Sequence, residues 1–412
     1  MARRELSEAV LSSADRLAPV DLALGVLTYN NAETLDGVLE TAAAGAGRFP
    51  DTRAALIVVD AGSSDGTRER AAAATLPNIL VEHEVPAGER VAVPFHGVPG
   101  RGAALRAAFT LAHRLRARAL VLLEADAVSA TPAWIERLAR PLLEDKADFL
   151  TAAYARHRYE GTISRLVLAP LVRALFGRRL QHPFGGHQAL SARLVEHLLI
   201  HPKWSWTGAD VSDLWITGTA IADGFNVWEA WLGPHQIRSG TRTTDLPTMI
   251  AQTLGAAFTL MQRHEDLWLE VRGSEPLPAA GEAIAPGVEP MAVDVDRMRE
   301  AFRQGARDLT AIWELILAPD TLAEVLVLED GGGLRFPDDL WARVVYDFAL
   351  GHHYSVVHRD HLLRSLTPLY LGRTAAFVLA TRGAGVAATQ AYLEAVAVAF
   401  ERQKAYLVEH WR

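Results

Sequence analysis

The first half of the chain alternates between two hydrophobic rhythms. Asp21–Thr28 carries Leu22, Leu24, Val26 and Leu27 with little polar interruption, the pattern of a strand buried on both faces. Asn30 and Asn31 punctuate it, and Glu33–Ala44 then places Leu35, Val38 and Leu39 at helical spacing. The same alternation continues through strand patterns at Ala54–Asp60, Ile79–His83, Ala119–Glu124 and Asp148–Ala153, with helical ones at 67–74, Arg101–Leu115 and Pro132–Leu143. A βαβαβ series predicts an α/β, Rossmann-like domain with a mostly parallel sheet covered on both faces. Ligands of such sheets gather at the carboxyl ends of the strands.

From Asp245 onward only helical periodicity remains, over Pro247–Leu267, Asp294–Leu317, Pro337–Ala349, His361–Thr381 and Val386–Trp411. Gly273–Pro290 holds four prolines and three glycines and reads as a loop. The expected organisation is an α/β domain over 1–245 and an all-helical C-terminal domain over 246–412.

Composition narrows the function classes. The 412 residues are half apolar and 22% charged, a globular balance sufficient for two or three domains. A net charge of −8 argues against a general nucleic-acid binder. Cysteine is absent, which excludes disulfides, thiolate metal sites and cysteine nucleophiles. No run of about 18 apolar residues is long enough to span a membrane. The first residues, with Arg3 and Arg4 leading into Glu5 and Glu8, have the wrong order for a signal peptide, so a cytoplasmic location is expected. Only Lys146, Lys203 and Lys404 are lysines among 41 basic residues.

Candidate chemistry lies after the strands. Glu124-Ala125-Asp126 closes the fourth, and residues i and i+2 of an extended segment point the same way. Paired hard oxygens there suit Mg2+ or Mn2+ on a diphosphate, whereas a solvated strand end is the ordinary alternative. Asp60-Ala61-Gly62-Ser63-Ser64-Asp65-Gly66-Thr67 follows the second strand. Asp60 can accept from base or ribose groups there, while Asp65 and Thr67 suit a turn and helix cap. Pro99-Gly100-Arg101-Gly102 opens a helix, where side-chain and backbone donors can meet phosphate. Trp204, Trp206, Trp215, Trp228 and Trp231 suit core packing better than a sugar platform.

In this order the motifs resemble the nucleotide-sugar domain of GT-A glycosyltransferases, with Glu124 standing for the first Asp of their "DxD" motif. His182-Pro183-Phe184-Gly185-Gly186 resembles the "QPLGG/QPLSG" loop of retaining synthases that make mannosylglycerate or glucosyl-3-phosphoglycerate. Trp206-Thr207-Gly208-Ala209-Asp210 is similar to their Trp-Gly-Ile-Asp segment. Gly233-Pro234-His235-Gln236-Ile237-Arg238 is similar to the segment bearing their metal-binding histidine.

The resemblance implies a metal-dependent hexosyltransferase using GDP-mannose or UDP-glucose as donor and glycerate or a related hydroxy-acid as acceptor. It implies Asp126 and His235, with Glu124, as ligands of Mg2+ or Mn2+. Donor contacts fall at Leu27, Thr28, Asn31, Asp60, Gly62, Gly100, Arg101, Glu124, Ala125, Asp126 and Gly185. Acceptor contacts fall at Arg156, Ser164, Phe184 and Gly185, with Arg158 and Arg165 as neighbouring alternatives to Arg156. Asp210 would hold sugar hydroxyls and Arg101 would share the charge of the departing diphosphate. The family's acidic residue after the Gly-Gly pair is His187 here, a departure bearing on sugar or acceptor choice. Two other readings stay open: an inverting family-2-type transferase with Asp210 or Asp213 as base, and a non-catalytic nucleotide-sugar-binding protein. A homodimer is compatible with any of them.

Overall fold

The computed structural model describes residues 6–83, 85, 96–202, 213–238, 245–328 and 334–411. The chain divides into two compact units. The first takes Met1–Ala155, Phe184–Thr244 and Leu277–Ile284, and the second takes Arg156–Pro183, Asp245–Pro276 and Ala285–Arg412. The chain thus crosses near residue 245, where the sequence pattern changes, and also at 155, 183, 276 and 284.

The strands in chain order are β1 (Leu22–Thr28), β2 (Ala54–Asp60), β3 (Asn78–Glu82), β4 (Ala119–Glu124), β5 (Phe149–Ala155), β6 (Arg178–Arg179), β7 (Gln188–Ser191), β8 (Val227–Pro234), β9 (Glu275–Pro276) and β10 (Ala279–Ala280). The first unit holds one sheet in the order β10-β8-β5-β7-β4-β1-β2-β3. Its ladders are parallel except the two made by β7, which runs antiparallel between β4 and β5. The fold class is the mostly parallel α/β sheet that the alternating pattern predicts. Gly273–Pro290, expected as a loop, supplies β9 and β10. Each is two residues long at a sheet edge, where a proline's missing N–H breaks no ladder.

Alternation along each strand sorts side chains between the two faces. Leu22, Leu24 and Val26 of β1, with Leu56, Val58, Val121 and Leu123, meet helices Ala32–Ala46 and Pro132–Leu143 through Leu35, Val38, Leu39, Ile135, Leu138 and Leu142. Helix Arg101–Arg114 covers the other face against β1 and β2, burying Leu105, Ala108, Phe109 and Leu111.

The second unit is helical. Helix Asp338–His353 is buried over most of its length and packs on Val386–His410, where the Tyr346 hydroxyl donates to the Phe400 carbonyl at 2.7 Å. Helix Val295–Asp308 packs on Thr367–Thr381 through two close approaches, Gly305 on Pro368 and Gly372 on Phe302. Arg373, fully buried, binds the Phe336 carbonyl and Asp338.

Gly45 lies where helix Ala32–Ala46 meets Ile135, and a Cβ there would come within 2.7 Å of the Ile135 Cβ. Alanine for glycine in a helix ordinarily gains about 0.5–1 kcal/mol, whereas overpacking costs roughly 1–3 kcal/mol. The clash should win, so Gly45→Ala is expected to lower the urea midpoint by the equivalent of about 1–2 kcal/mol. An unchanged or raised midpoint would mean that the two helices can separate freely.

Candidate active site

The carboxyl ends of β1 and β2 are tied together by the loops that follow them. Asp60 accepts from Thr28 Oγ1 at 2.8 Å, from Ser63 N at 2.8 Å and from Gly62 N at 3.1 Å. Asn30 N donates to Ser63 Oγ at 2.8 Å, and Ser64 N returns to Asn30 Oδ1 at 2.9 Å. Asp65 reaches across to cap helix Ala32–Ala46 at Ala32 N, 3.0 Å away. Burial works to raise the Asp65 pKa, but hydrogen bonds from Thr67 and Ala32 outweigh it and hold the carboxyl below its usual range. With the Ser63 hydroxyl donating as well, at 2.5 Å, Thr28, Asp60 and Gly62 form a preorganised loop whose carboxylate already serves four internal donors.

The reversed strand β7 builds the centre of the site. Leu122 of β4 pairs with Gln188, so continuing the antiparallel register sets Glu124 opposite Gly186. A Cβ on Gly186 would overlap the Glu124 carboxylate, and one on Gly185 would lie 2.7 Å from the Ala152 carbonyl oxygen. The Gly-Gly pair thus admits the longer acidic side chain on one side and the β5 backbone on the other. His187, fully buried, then brings Nδ1 to 3.3 Å from Glu124 Oε2 and 2.8 Å from the Tyr154 hydroxyl. Its Nε2 is buried with no hydrogen-bond partner.

His235 arrives from the other side of β5. A register shift between Ala153 and Tyr154 pairs Tyr154 with Gly233, whose φ of +105° turns the chain at the end of β8. The turned segment is fastened to the residues after β4: Val128 N donates to the Gln236 carbonyl at 3.0 Å and Arg238 N to the Asp126 carbonyl at 2.9 Å. This sets His235 Nε2 2.7 Å from Glu124 Oε2. The Tyr154 ring stacks on the His235 ring at 4.1 Å, and Trp134 meets His187 edge-on at 5.2 Å. Among the described residues, Glu124, His187 and His235 are the group whose metal-ligating atoms all lie within 4.8 Å of one another. One carboxylate and two imidazoles are a donor set suited to a divalent cation.

Leu27, Asn31, Arg101, Glu124, Ala125 and Asp126 line one narrow cleft together with His96, Gly97, Val98 and Leu123. Asp126 is buried there, outside the three-residue cluster. Arg101 enters from its helix, which Gly100 starts with φ +62°, and its Nη2 donates to the buried Asp213 at 2.7 Å. Phe184 and Gly185 belong to the first unit beside the cluster-bearing strands, whereas Arg156 and Ser164 belong to the second. Of the three neighbouring arginines, Arg158 donates to the Ala384 carbonyl and Arg165 to the carbonyls of His157 and Arg156. Burial, then the charge of Arg156, lowers the Arg165 pKa to about 10, with Glu160 opposing. The Arg156 guanidinium lies over Gly161, where a Cβ would come within 2.9 Å of Nη1. Ser164 points its hydroxyl at the Gln181 carbonyl, 3.5 Å away. Asp210, Trp204 and Trp206 lie outside the described residues, while Trp215 is buried in the core.

His187 and Tyr154 carry no motif of their own. The sequence marks His187 only as a departure from the acidic position of the resembled family, and the β4–β7 register brings it to Glu124. Because Gly186 makes room for Glu124, Gly186→Ala is expected to cost about 1–3 kcal/mol of stability in the parent. It should cost less than half as much in a Glu124→Ala background, as read in a double-mutant cycle of urea unfolding. Equal costs in the two backgrounds would show that the pair is not in contact.

Comparison with known proteins adds similarities to this geometry. No curated protein sequence matches the chain. Among solved structures, glucosyl-3-phosphoglycerate synthase from Mycobacterium tuberculosis in complex with Mn2+, UDP and phosphoglyceric acid is similar at 20% identity and a TM-score of 0.43. That match covers 64% of this chain and 84% of that one. The same enzyme with Mg2+ and UDP is similar at 19% identity and a TM-score of 0.43, covering 64% and 86%. The family model described as Glycosyl transferase family 2 matches residues 24–197, from β1 through β7, and so takes in Asn31, Asp60, Arg101, Glu124, Asp126 and His187. Residues 24–197 are thus similar to that family, over a stretch that includes β7.

Proposed function

We propose that the protein is a metal-dependent, retaining glycosyltransferase. It moves a hexose from GDP-mannose or UDP-glucose to glycerate or a related small hydroxy-acid, giving a mannosylglycerate- or glucosylglycerate-type compatible solute. The observation that carries this reading is the Glu124–His187–His235 cluster at the carboxyl end of β4, with Glu124 and His187 inside the stretch that matches the family model, beside a cleft lined by Asn31, Arg101 and Asp126.

The donor set fits a divalent cation. Glu124 Oε2 already lies 2.7 Å from His235 Nε2 and 3.3 Å from His187 Nδ1, and the ligand atoms of all three residues lie within 4.8 Å of one another. Glu124, His187 and His235 would hold Mg2+ or Mn2+, with Asp126 as the second carboxylate on the cleft side. When bound, the cation supplies Lewis-acid neutralisation of a diphosphate leaving group and a template for the donor. Arg101, held in place by Asp213, adds a fixed positive charge near the same cleft. Asp210 is assigned to the sugar hydroxyls. On an inverting mechanism a carboxylate base is required, and Asp213 is already occupied by Arg101. Arg156 is assigned to the acceptor carboxylate, the role that the resemblance of its segment implies.

A donor-by-acceptor activity matrix tests the reading: turnover of one of the two donors with glycerate, abolished by EDTA, and an α-linked product by NMR from the α-linked donor. Turnover that ignores EDTA contradicts the metal assignment, and a β-linked product contradicts retention. Glu124→Ala and His235→Ala should each weaken Mn2+ binding at least ~10-fold by calorimetry, a ligand's loss exceeding the typical second-shell effect.

For the acceptor, an Arg–carboxylate contact is worth about 1.5–3 kcal/mol, so Arg156→Ala should raise the glycerate KM by roughly 10- to 150-fold and leave the donor KM nearly unchanged. Glycerol used as well as glycerate would remove the carboxylate-reading role.

A further inference from the structure

The helical unit holds a cavity of about 490 Å3 that the transfer reaction does not use, within the size range of small-molecule sites. Its walls join Ala174, Val271, Ala405 and Val408 to a cationic pair, Arg272 and Lys404. Lys404 is unusual in two respects. It is one of three lysines in a chain that otherwise uses arginine, and its side chain is only 8% exposed. An ammonium carries three donors, and the hydrogen bond it makes is to the Val271 carbonyl at 2.6 Å. Arg272 gives one donor to the Leu269 carbonyl at 3.1 Å.

The acidic neighbours on these walls do not answer that charge. Glu401 is bound to Arg173 at 3.0 Å and Glu409 is exposed on the last turn of its helix, while Arg402, a further cation on the walls, is bound to Asp339. Burial, and then the field of Arg272, pull the Lys404 ammonium down to about 8. Two cations side by side, one of them desolvated, are an arrangement that an anion relieves.

We propose that this cavity binds a small organic phosphate, its dianionic head held by Lys404 and Arg272 and a compact apolar body lying against Val271, Ala405 and Val408. A dianion matches two cations better than a carboxylate does, and the apolar walls reward a body that bare phosphate lacks.

Calorimetry on the full-length chain with phenyl phosphate tests the proposal, with benzoate and inorganic phosphate as comparison probes. Phenyl phosphate is expected to bind at least 5-fold more tightly than either. Its binding should weaken 10-fold or more in Lys404→Met and in Arg272→Gln, and stay within 2-fold of the parent in Arg101→Gln. Arg272 is exposed, so its variant keeps the test decisive even if Lys404→Met does not fold. Absence of binding in the parent, binding indifferent to Arg272→Gln, or binding lost in Arg101→Gln because the anion occupies the nucleotide cleft would each overturn it.

Discussion

Burying a carboxylate at the rim of an apolar sheet costs on the order of several kcal/mol unless charge or hydrogen bonds answer it. Glu124 is 9% exposed, and its answer is two imidazoles, His235 at 2.7 Å and His187 at 3.3 Å. Much of the first unit's local design serves that arrangement. Strand β7 runs against its neighbours, which lays Gly186 and His187 across the end of β4. The register shift in β5 and the turn at Gly233 bring His235 back over Tyr154. Trp134 and Tyr154 close the cluster with aromatic surface, which keeps the imidazoles in fixed orientations.

The cleft beside the cluster is preorganised in the same spirit. Arg101 would be a costly buried charge alone, and Asp213, 112 residues further on, fixes it. The loops after β1 and β2 satisfy their own backbone through Asp60, Ser63, Asp65 and Thr67, so the proposed nucleotide would meet a surface there that needs little reordering. Positioning and electrostatics of this kind are what phosphate-leaving chemistry asks of a protein.

Strands β1 to β5 were legible in the sequence because each is a mostly apolar run of the right length, all seven residues of β1 being buried. Strand β7 was not, since Gln188-Ala189-Leu190-Ser191 is four residues long and its pairing is set by neighbours that end elsewhere in the chain. The residue types at the site could be read from strand ends and loops, namely Glu124, Asp126, Asp60 and Arg101. Their partners could not, because the Arg101–Asp213 and Glu124–His235 contacts join residues more than a hundred positions apart. His187 shows the limit most clearly. As a sequence position it is a departure from a family pattern, and only the β4–β7 register makes it a neighbour of Glu124. The division into units was likewise partly hidden, because 156–183 joins the helical unit and 277–284 the sheet unit through contacts that no local composition records.

Whether the buried carboxylate and its two imidazoles form a metal centre can be read without any assay of turnover. Crystals soaked in Mn2+ and measured for anomalous scattering should show one peak within about 2.0–2.4 Å of Glu124 and of both His187 and His235, at the distances usual for oxygen and nitrogen ligands. No peak at the cluster, with Glu124 still hydrogen-bonded to His235, would contradict the account and leave the three residues as a structural hydrogen-bond network.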